Sequence, residues 1–309
     1  MKWKADKLLD FAVEKKLDSI LFSDLDVFES HESTYLNDLR KRAQDNGILI
    51  HAGTGGICPT SEKCIRKWGS PAEHLGLGIR VAKDLGSPVF RCYLGSQKDR
   101  STAGGIRRHI DSTVKTLRQI KTKSVDANVK IGVENHAGDM QAEELVQLIE
   151  MAGTDYVGAT IDSGNATWTL EHPQTNLELL GKYAVSSGIR DSTIWQTDKG
   201  ASVAWNAVGE GQIDWKKYVE TWHQMCPDVP FQLEIISGFD KSFPFHDKQF
   251  WNAYPDVKAI HFAEFLGLAR VGKPVPKGNS NLPDFQLNEL LKSIHFCQQK
   301  LGIGLKTLR

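Results

Sequence analysis

Strand-like and helix-like segments alternate along this chain almost without a break, and that alternation leaves few folds open. Short apolar runs rich in β-branched and aromatic residues stand at 19–23, 48–51, 88–93, 130–133, 156–161, 184–189 and 231–236. Amphipathic helical patterns fill the gaps at 7–16, 32–46, 71–85, 106–121, 141–151, 176–182 and 215–225. The helix at 71–85 carries both punctuation marks, with Ser70 as N-cap and Gly86 as stop. Such a pattern predicts parallel strands joined by helical crossovers, an α/β class fold.

Seven strands are one short of a TIM-type closed barrel of eight strands and eight helices, the (β/α)8 barrel. The chain opens on a helix, so the first strand is expected before residue 1, or else the barrel closes irregularly. A doubly wound open sheet is the alternative. It is weakened because no Gly-x-Gly-x-x-Gly turn follows the first strand. Gly53-Thr54-Gly55-Gly56 departs from that pattern and is expected to form a flexible loop at the barrel mouth.

No Pro/Gly/Ser-rich linker divides the 309 residues, so one domain is expected, a barrel over about 1–240 and a C-terminal helical extension over about 241–309. Lys+Arg and Asp+Glu both number 38, which argues against a nucleic-acid partner held through a broad basic face. No apolar run is long enough to span a bilayer, and the first residues lack the apolar stretch of a signal peptide. The five cysteines form no Cys-x-x-Cys pair. Cys58 and Cys64 share a loop region and could pair or bind metal, but reduced thiols are the expectation, which makes the cytoplasm the default location.

Three apolar runs end on or beside a carboxylate: Val133-Glu134-Asn135-His136, Ile161-Asp162-Ser163-Gly164-Asn165 and Leu233-Glu234-Ile235. In a parallel barrel the strand ends meet at one face, where the site lies. Glu134, Asp162 and Glu234 are therefore expected to converge there. A carboxylate-rich site suits a hard divalent cation such as Mn²⁺ or Mg²⁺, with Zn²⁺ or Co²⁺ as alternatives. Two of the carboxylates could exchange a carbon-bound proton of a sugar-like substrate, with the cation stabilising an enediolate.

These segments, with Gly209-Glu210-Gly211-Gln212-Ile213-Asp214, resemble the xylose isomerase-like TIM barrels over most of the chain. That family includes sugar isomerases and epimerases, dehydratases and an endonuclease branch. The resemblance implies that Glu134, Asp162 and Glu234 are metal ligands and that Glu134 and Glu234 act as catalytic acid and base. It also implies a fourth ligand, a histidine on the next strand, where the family pattern resembles His-x-His-x-Lys-Asp. Here the strand reads Ser186-Ser187-Gly188-Ile189-Arg190-Asp191. Arg190-Asp191 match the Lys-Asp pair, but Ser186 and Gly188 replace the histidines, so metal binding is expected to be weak. Gln196, His136 and His51 are the candidate substitutes.

His51, Arg91, Asn135, Asn165 and Arg190 are further candidates for substrate contact, Arg91 because its planar fork suits a carboxylate or phosphate. Glu210, in its Gly-x-Gly turn, is expected to shape a loop. Trp168, Trp195 and Trp205 are expected near the mouth, where an aromatic face could stack on a sugar. The leading expectation is a metal-dependent isomerase or epimerase acting on a small sugar or sugar derivative. The rivals are a lyase of the same fold, decarboxylating or dehydrating a keto-sugar acid, and a metal-free sugar-binding barrel. The 250–274 segment has a weak resemblance to the branch containing decarboxylases of branched sugar acids. A homo-oligomer formed through the C-terminal extension is compatible with the family.

Overall fold

The computed structural model describes residues 3–279 and 282–304. The chain runs α1 (Ala5–Glu14), β1 (Ser19–Phe22), α2 (Ser33–Asp45), β2 (Leu49–Gly56), α3 (Pro71–Leu85), β3 (Val89–Tyr93), α4 (Gly105–Gln119), α5 (Lys121–Ala127), β4 (Lys130–Glu134), α6 (Ala142–Ala152) and β5 (Val157–Ile161). There follow α7 (Ser163–Ala166), α8 (Pro173–Leu180), β6 (Ala184–Ser187), β7 (Asp191–Thr197), β8 (Gly200–Asn206), α9 (Trp215–Met225), β9 (Asp240–Phe243), α10 (Ala259–Val271) and α11 (Pro283–Phe296). Strands β1 to β6 form one parallel sheet in chain order, the curled sheet of a TIM-type barrel with helices packed outside it.

Local chemistry explains the boundaries. Ser70 and Glu73 close a reciprocal capping box at the start of α3, and Gly86 ends that helix in the left-handed conformation at φ 70°. The strands inside the sheet are buried on both faces; β5 is buried at every position. One continuous hydrophobic core runs from Leu9 of α1 through Ile50, Phe90, Ile131 and Ile161 to Trp222 of α9.

The structure corrects three expectations. The glycine run 53–56 is not a loop: β2 extends through Gly56, and its glycines let Arg91 and Tyr93 of β3 approach closely. The segment 231–236 does not form a regular strand; it contributes a single parallel bridge, Ile189 to Leu233. Ile189 N–H donates to Gln232 and Glu234 N–H donates to Ile189, so the segment lies against one neighbour. The third correction is an antiparallel sheet, β7-β8-β9, where only loops and helices were expected. Thr197 pairs with Gly200, so Asp198 and Lys199 make a two-residue hairpin turn. This sheet builds a second core with Trp168, Leu170, Ile194, Trp205 and Phe265, tying α10 to the mouth of the barrel. Among the described residues no helix is long and apolar enough to cross a membrane.

Candidate active site

β4 delivers Glu134 as its last residue, β5 is followed at once by Asp162, and the 231–235 segment brings Glu234 alongside. One carboxylate oxygen from each lies within 4.8 Å of the other two. Glu134 and Asp162 are fully buried, whereas the Glu234 side chain keeps 25% of its exposure and is the member that reaches solvent. Adjacent parallel strands in register bring Glu134 and Asp162 together, since their ends are level, and the Ile189–Leu233 bridge adds Glu234.

Each carboxylate meets a guanidinium. Arg91, from β3, grips Glu134 and donates from Nη1 to the Thr54 carbonyl at 3.0 Å. Its Nη2 is also 3.8 Å from Glu234. Arg190 Nη2 lies between the other two acids, 2.5 Å from Asp162 Oδ2 and 3.2 Å from Glu234 Oε2. Both arginines are buried. Burial pushes the Glu134 carboxyl up to about 8, with Arg91 pulling the other way. Asp162 is likewise pushed by burial, to about 6, against the pull of Arg190. Burial acts on Glu234 too, but Arg190 and Arg91 outweigh it and hold Glu234 below the ordinary carboxylate range. The cluster thus contains one acid inclined to keep its proton and one inclined to lose it.

Asp162 divides its labour. Its Oδ1 accepts from Gly164 N–H and Asn165 N–H, capping the short α7, and leaves Oδ2 for the cluster. Asn165 donates to Glu134 Oε1 at 3.0 Å, while its own Oδ1 is buried with no hydrogen-bond partner. Asn135 is differently employed. Its amide donates to the Asp162 carbonyl and accepts the Asp162 N–H, clamping the ends of β4 and β5 together.

The other sequence candidates scatter. His51 is buried, its Nδ1 2.9 Å from Ser186 Oγ, and Ser186 in turn donates to Gln232 at 3.3 Å. Ser186 and Gln232 each stand two residues before a site position, so this trio forms the layer beneath the carboxylates. Burial lowers His51 to about 4 and leaves it neutral. His136 stacks on Tyr93 at 3.6 Å and contacts the Gly95 carbonyl through Nδ1. Gln196 is exposed on β7, in a surface groove with Phe245 and Trp251. All five cysteines are free thiols.

Asp191 is a structural anchor that sequence reasoning undervalued. Its buried carboxylate accepts N–H groups from Gly209, Gly211 and Ile213 and the Trp215 indole N–H. It therefore fixes the Gly209-Glu210-Gly211 turn; Glu210 itself points to Lys292 at 3.2 Å. The signal was present in the sequence: a glycine-rich run leaves several N–H groups needing an acceptor. The tryptophans are half as expected. Trp168 and Trp205 stack at 4.1 Å, and the Arg190 guanidinium covers Trp205 at 4.4 Å. Lys241 Nζ caps the far end, 4.0 Å over Trp168. Trp195 is buried on β7.

The match to known families follows this geometry. Residues 12–241 fit the family model for xylose isomerase-like TIM barrels. The chain belongs to that family. Among solved structures, this xylose isomerase-like barrel is similar to a D-psicose 3-epimerase determined in the presence of D-fructose, at 12% identity and a TM-score of 0.62, covering 97% of this chain and 94% of that one. It is also similar to the IolI protein with a bound zinc atom, at 15% identity and a TM-score of 0.55, covering 85% of this chain and 94% of that one. Among curated proteins, it is 21% identical over 188 residues to the 3-oxo-isoapionate decarboxylase of Pectobacterium atrosepticum, a match spanning 60% of this chain and 61% of that protein. The matched stretch is thus about three-fifths of the curated relative's length.

Glu134, Asp162 and Glu234 could hold a metal ion, and among the described residues no histidine joins them. As built, however, the residues do not fit a resident divalent ion. Position 188 offers no side chain, and a Cβ there would sit 2.7 Å from Glu234 Oε2 and 3.7 Å from Asp162 Oδ2. The space between those two acids is held by Arg190.

Proposed function

We propose that this protein is a carbon-acid enzyme of the isomerase or epimerase type, acting on a small sugar-derived ketone. The observation that carries the reading is the convergence of Glu134 and Glu234 within one cluster, the first sealed and the second open to solvent. In the reaction, Glu234 takes a proton from the carbon beside the substrate carbonyl. The C–H electron pair becomes the C=C bond of an enediolate, and the carbonyl π pair moves onto oxygen. Glu134 then returns a proton to carbon from the other side. Asn165, with its free Oδ1, is the candidate partner for a substrate hydroxyl. The developing oxyanion needs a positive neighbour. The Arg190 guanidinium already among the carboxylates would supply that charge.

A lyase reading is favoured by one specific observation, the two buried guanidiniums at the site. A β-keto sugar acid that loses CO₂ from the hydroxyl-bearing carbon beside its carbonyl puts the C–C electron pair into the same enediolate, and an arginine fork suits its carboxylate. The similarity to a decarboxylase points the same way.

The test is proton NMR in D₂O with a panel of ketohexoses and keto-sugar acids. The expected result is loss of one C–H signal beside the carbonyl, or release of CO₂, with the wild type and not with Glu134→Gln. Neither exchange nor CO₂ release from any compound by the wild type would overturn the reading.

A further inference from the structure

We infer that the Arg190 guanidinium is the resident cation of this site and stands where the barrel's relatives would place a metal ion and its histidine ligand. The inference rests on the carbon-acid reading for its chemistry, but its geometry is independent of that reading. Arg190 Nη2 touches Asp162 and Glu234 together, so a single donor already occupies the ground between two of the three would-be ligands. Arg91 holds the third.

The arginine is seated in a cradle made for it. Gly164 is bare where a Cβ would lie 2.3 Å from Arg190 Cγ and 2.8 Å from Cδ. Trp205 supports the flat face of the guanidinium, and its indole N–H is itself pinned to the Gly164 carbonyl at 3.0 Å. Gly188 is bare on the other side, where any side chain would press on Glu234. Two glycines and a tryptophan thus shape one volume around one guanidinium.

Charge gives the same answer. Three carboxylates face two guanidiniums, which leaves one unit of negative charge, and a single proton neutralises that. A divalent ion entering beside both arginines would bring the buried cluster to a net positive charge, against strong repulsion at such short range. Arg190 Nε and Nη1 are buried and have no hydrogen-bond partner. Two donors left open on the same guanidinium suit an incoming oxyanion, so the group can balance Asp162 and Glu234 through one nitrogen and receive substrate oxygen through another. In the reaction above, the oxygen that gains the carbonyl π pair would sit against these donors. No bond to the arginine forms and none breaks.

The experiment is a Mn²⁺ titration of chelator-stripped full-length protein, read by the electron paramagnetic resonance signal of free Mn²⁺. The comparison is wild type against Arg190→Met, which keeps bulk and removes charge. Wild type is expected to take up no stoichiometric Mn²⁺ in the micromolar range. Arg190→Met is expected to bind about one equivalent, with affinity improved by about a hundredfold or more. One equivalent of Mn²⁺ bound by wild type at micromolar concentration overturns the inference, as does an Arg190→Met protein that folds and binds no better than wild type. Should that variant fail to fold, the wild-type titration alone decides. Tight Mn²⁺ in a wild type that still exchanges the substrate proton would remove the arginine proposal and leave the carbon-acid reading standing. Absence of exchange with no Mn²⁺ uptake would do the reverse.

Discussion

A β-carbon at residue 164 would lie 2.3 Å from Cγ of Arg190, so the glycine and the arginine are two halves of one fit. Gly164→Ala is therefore expected to push the arginine away from Asp162 and Glu234. Overpacking of this kind costs about 1–3 kcal/mol. The urea midpoint should fall accordingly, and substrate-proton exchange should fall with it. A variant as stable and active as wild type would show that the arginine has room to spare.

Gly188→Ala should separate the two effects. The one atom its Cβ would crowd is Glu234 Oε2 at 2.7 Å, the far end of a side chain that keeps 25% of its exposure; Glu234 Cβ at 3.6 Å and Asp162 Oδ2 at 3.7 Å lie at ordinary contact distance. Stability should stay within about 1 kcal/mol of wild type, while exchange drops by about a hundredfold because the base has moved. Urea unfolding alongside D₂O exchange tests both halves, and a large stability loss with unchanged exchange would contradict the placement of Glu234.

Asp191→Ala should cost more than either glycine change. It strands four backbone N–H groups, those of Ser192, Gly209, Gly211 and Ile213, and an indole N–H around one buried position. Unsatisfied buried donors cost about 1–3 kcal/mol each, with part of that recovered by water, so a total loss of about 3 kcal/mol is expected. Limited proteolysis should open the 209–214 turn first.

The pH dependence of stability should carry the mark of Asp139. Burial pushes this carboxyl up to about 7, against the backbone N–H groups of Gly95, Met140 and His136 that it accepts. Its folded pKa lies above the unfolded value of about 4, so between these the folded state holds the extra proton and stability falls as pH rises. Asp139→Asn removes that slope. The gap between variant and wild type should narrow by about 1–3 kcal/mol from pH 5 to pH 8 in urea unfolding. A gap that widens would reverse the sign of the effect.

Much of this architecture was legible because period and punctuation agree. The apolar runs ending on Glu134 and Asp162 fall in register in the sheet, and Ser70 and Gly86 cap α3 as they read. The run 231–236 looked like a strand by composition, yet it has one strand-like neighbour, so only Leu233 bridges. The hairpin of β7 and β8 was missed although residues 193–197 are β-branched, aromatic and polar in turn, because Asp198-Lys199 is a weak turn signal. Asn135 and Asn165 look alike on paper at their strand ends. Only the pairing of one with the Asp162 backbone, and of the other with the Glu134 side chain, tells them apart. The bridging role of Arg190 was hidden for a similar reason, since it depends on what Gly164 and Gly188 lack.

Residues 188 and 190 are separated by one pleat and face the same acids. A ligand-bearing side chain at the first and an arginine reaching inward from the second would compete for one volume. Placing a ligand at 188 therefore asks for a change at 190 as well, because a side chain at the first crowds Glu234 while Arg190 still fills the ground between the acids. The two positions thus form one choice of counter-charge, a guanidinium from 190 beside a bare 188 or a ligand at 188 with 190 withdrawn.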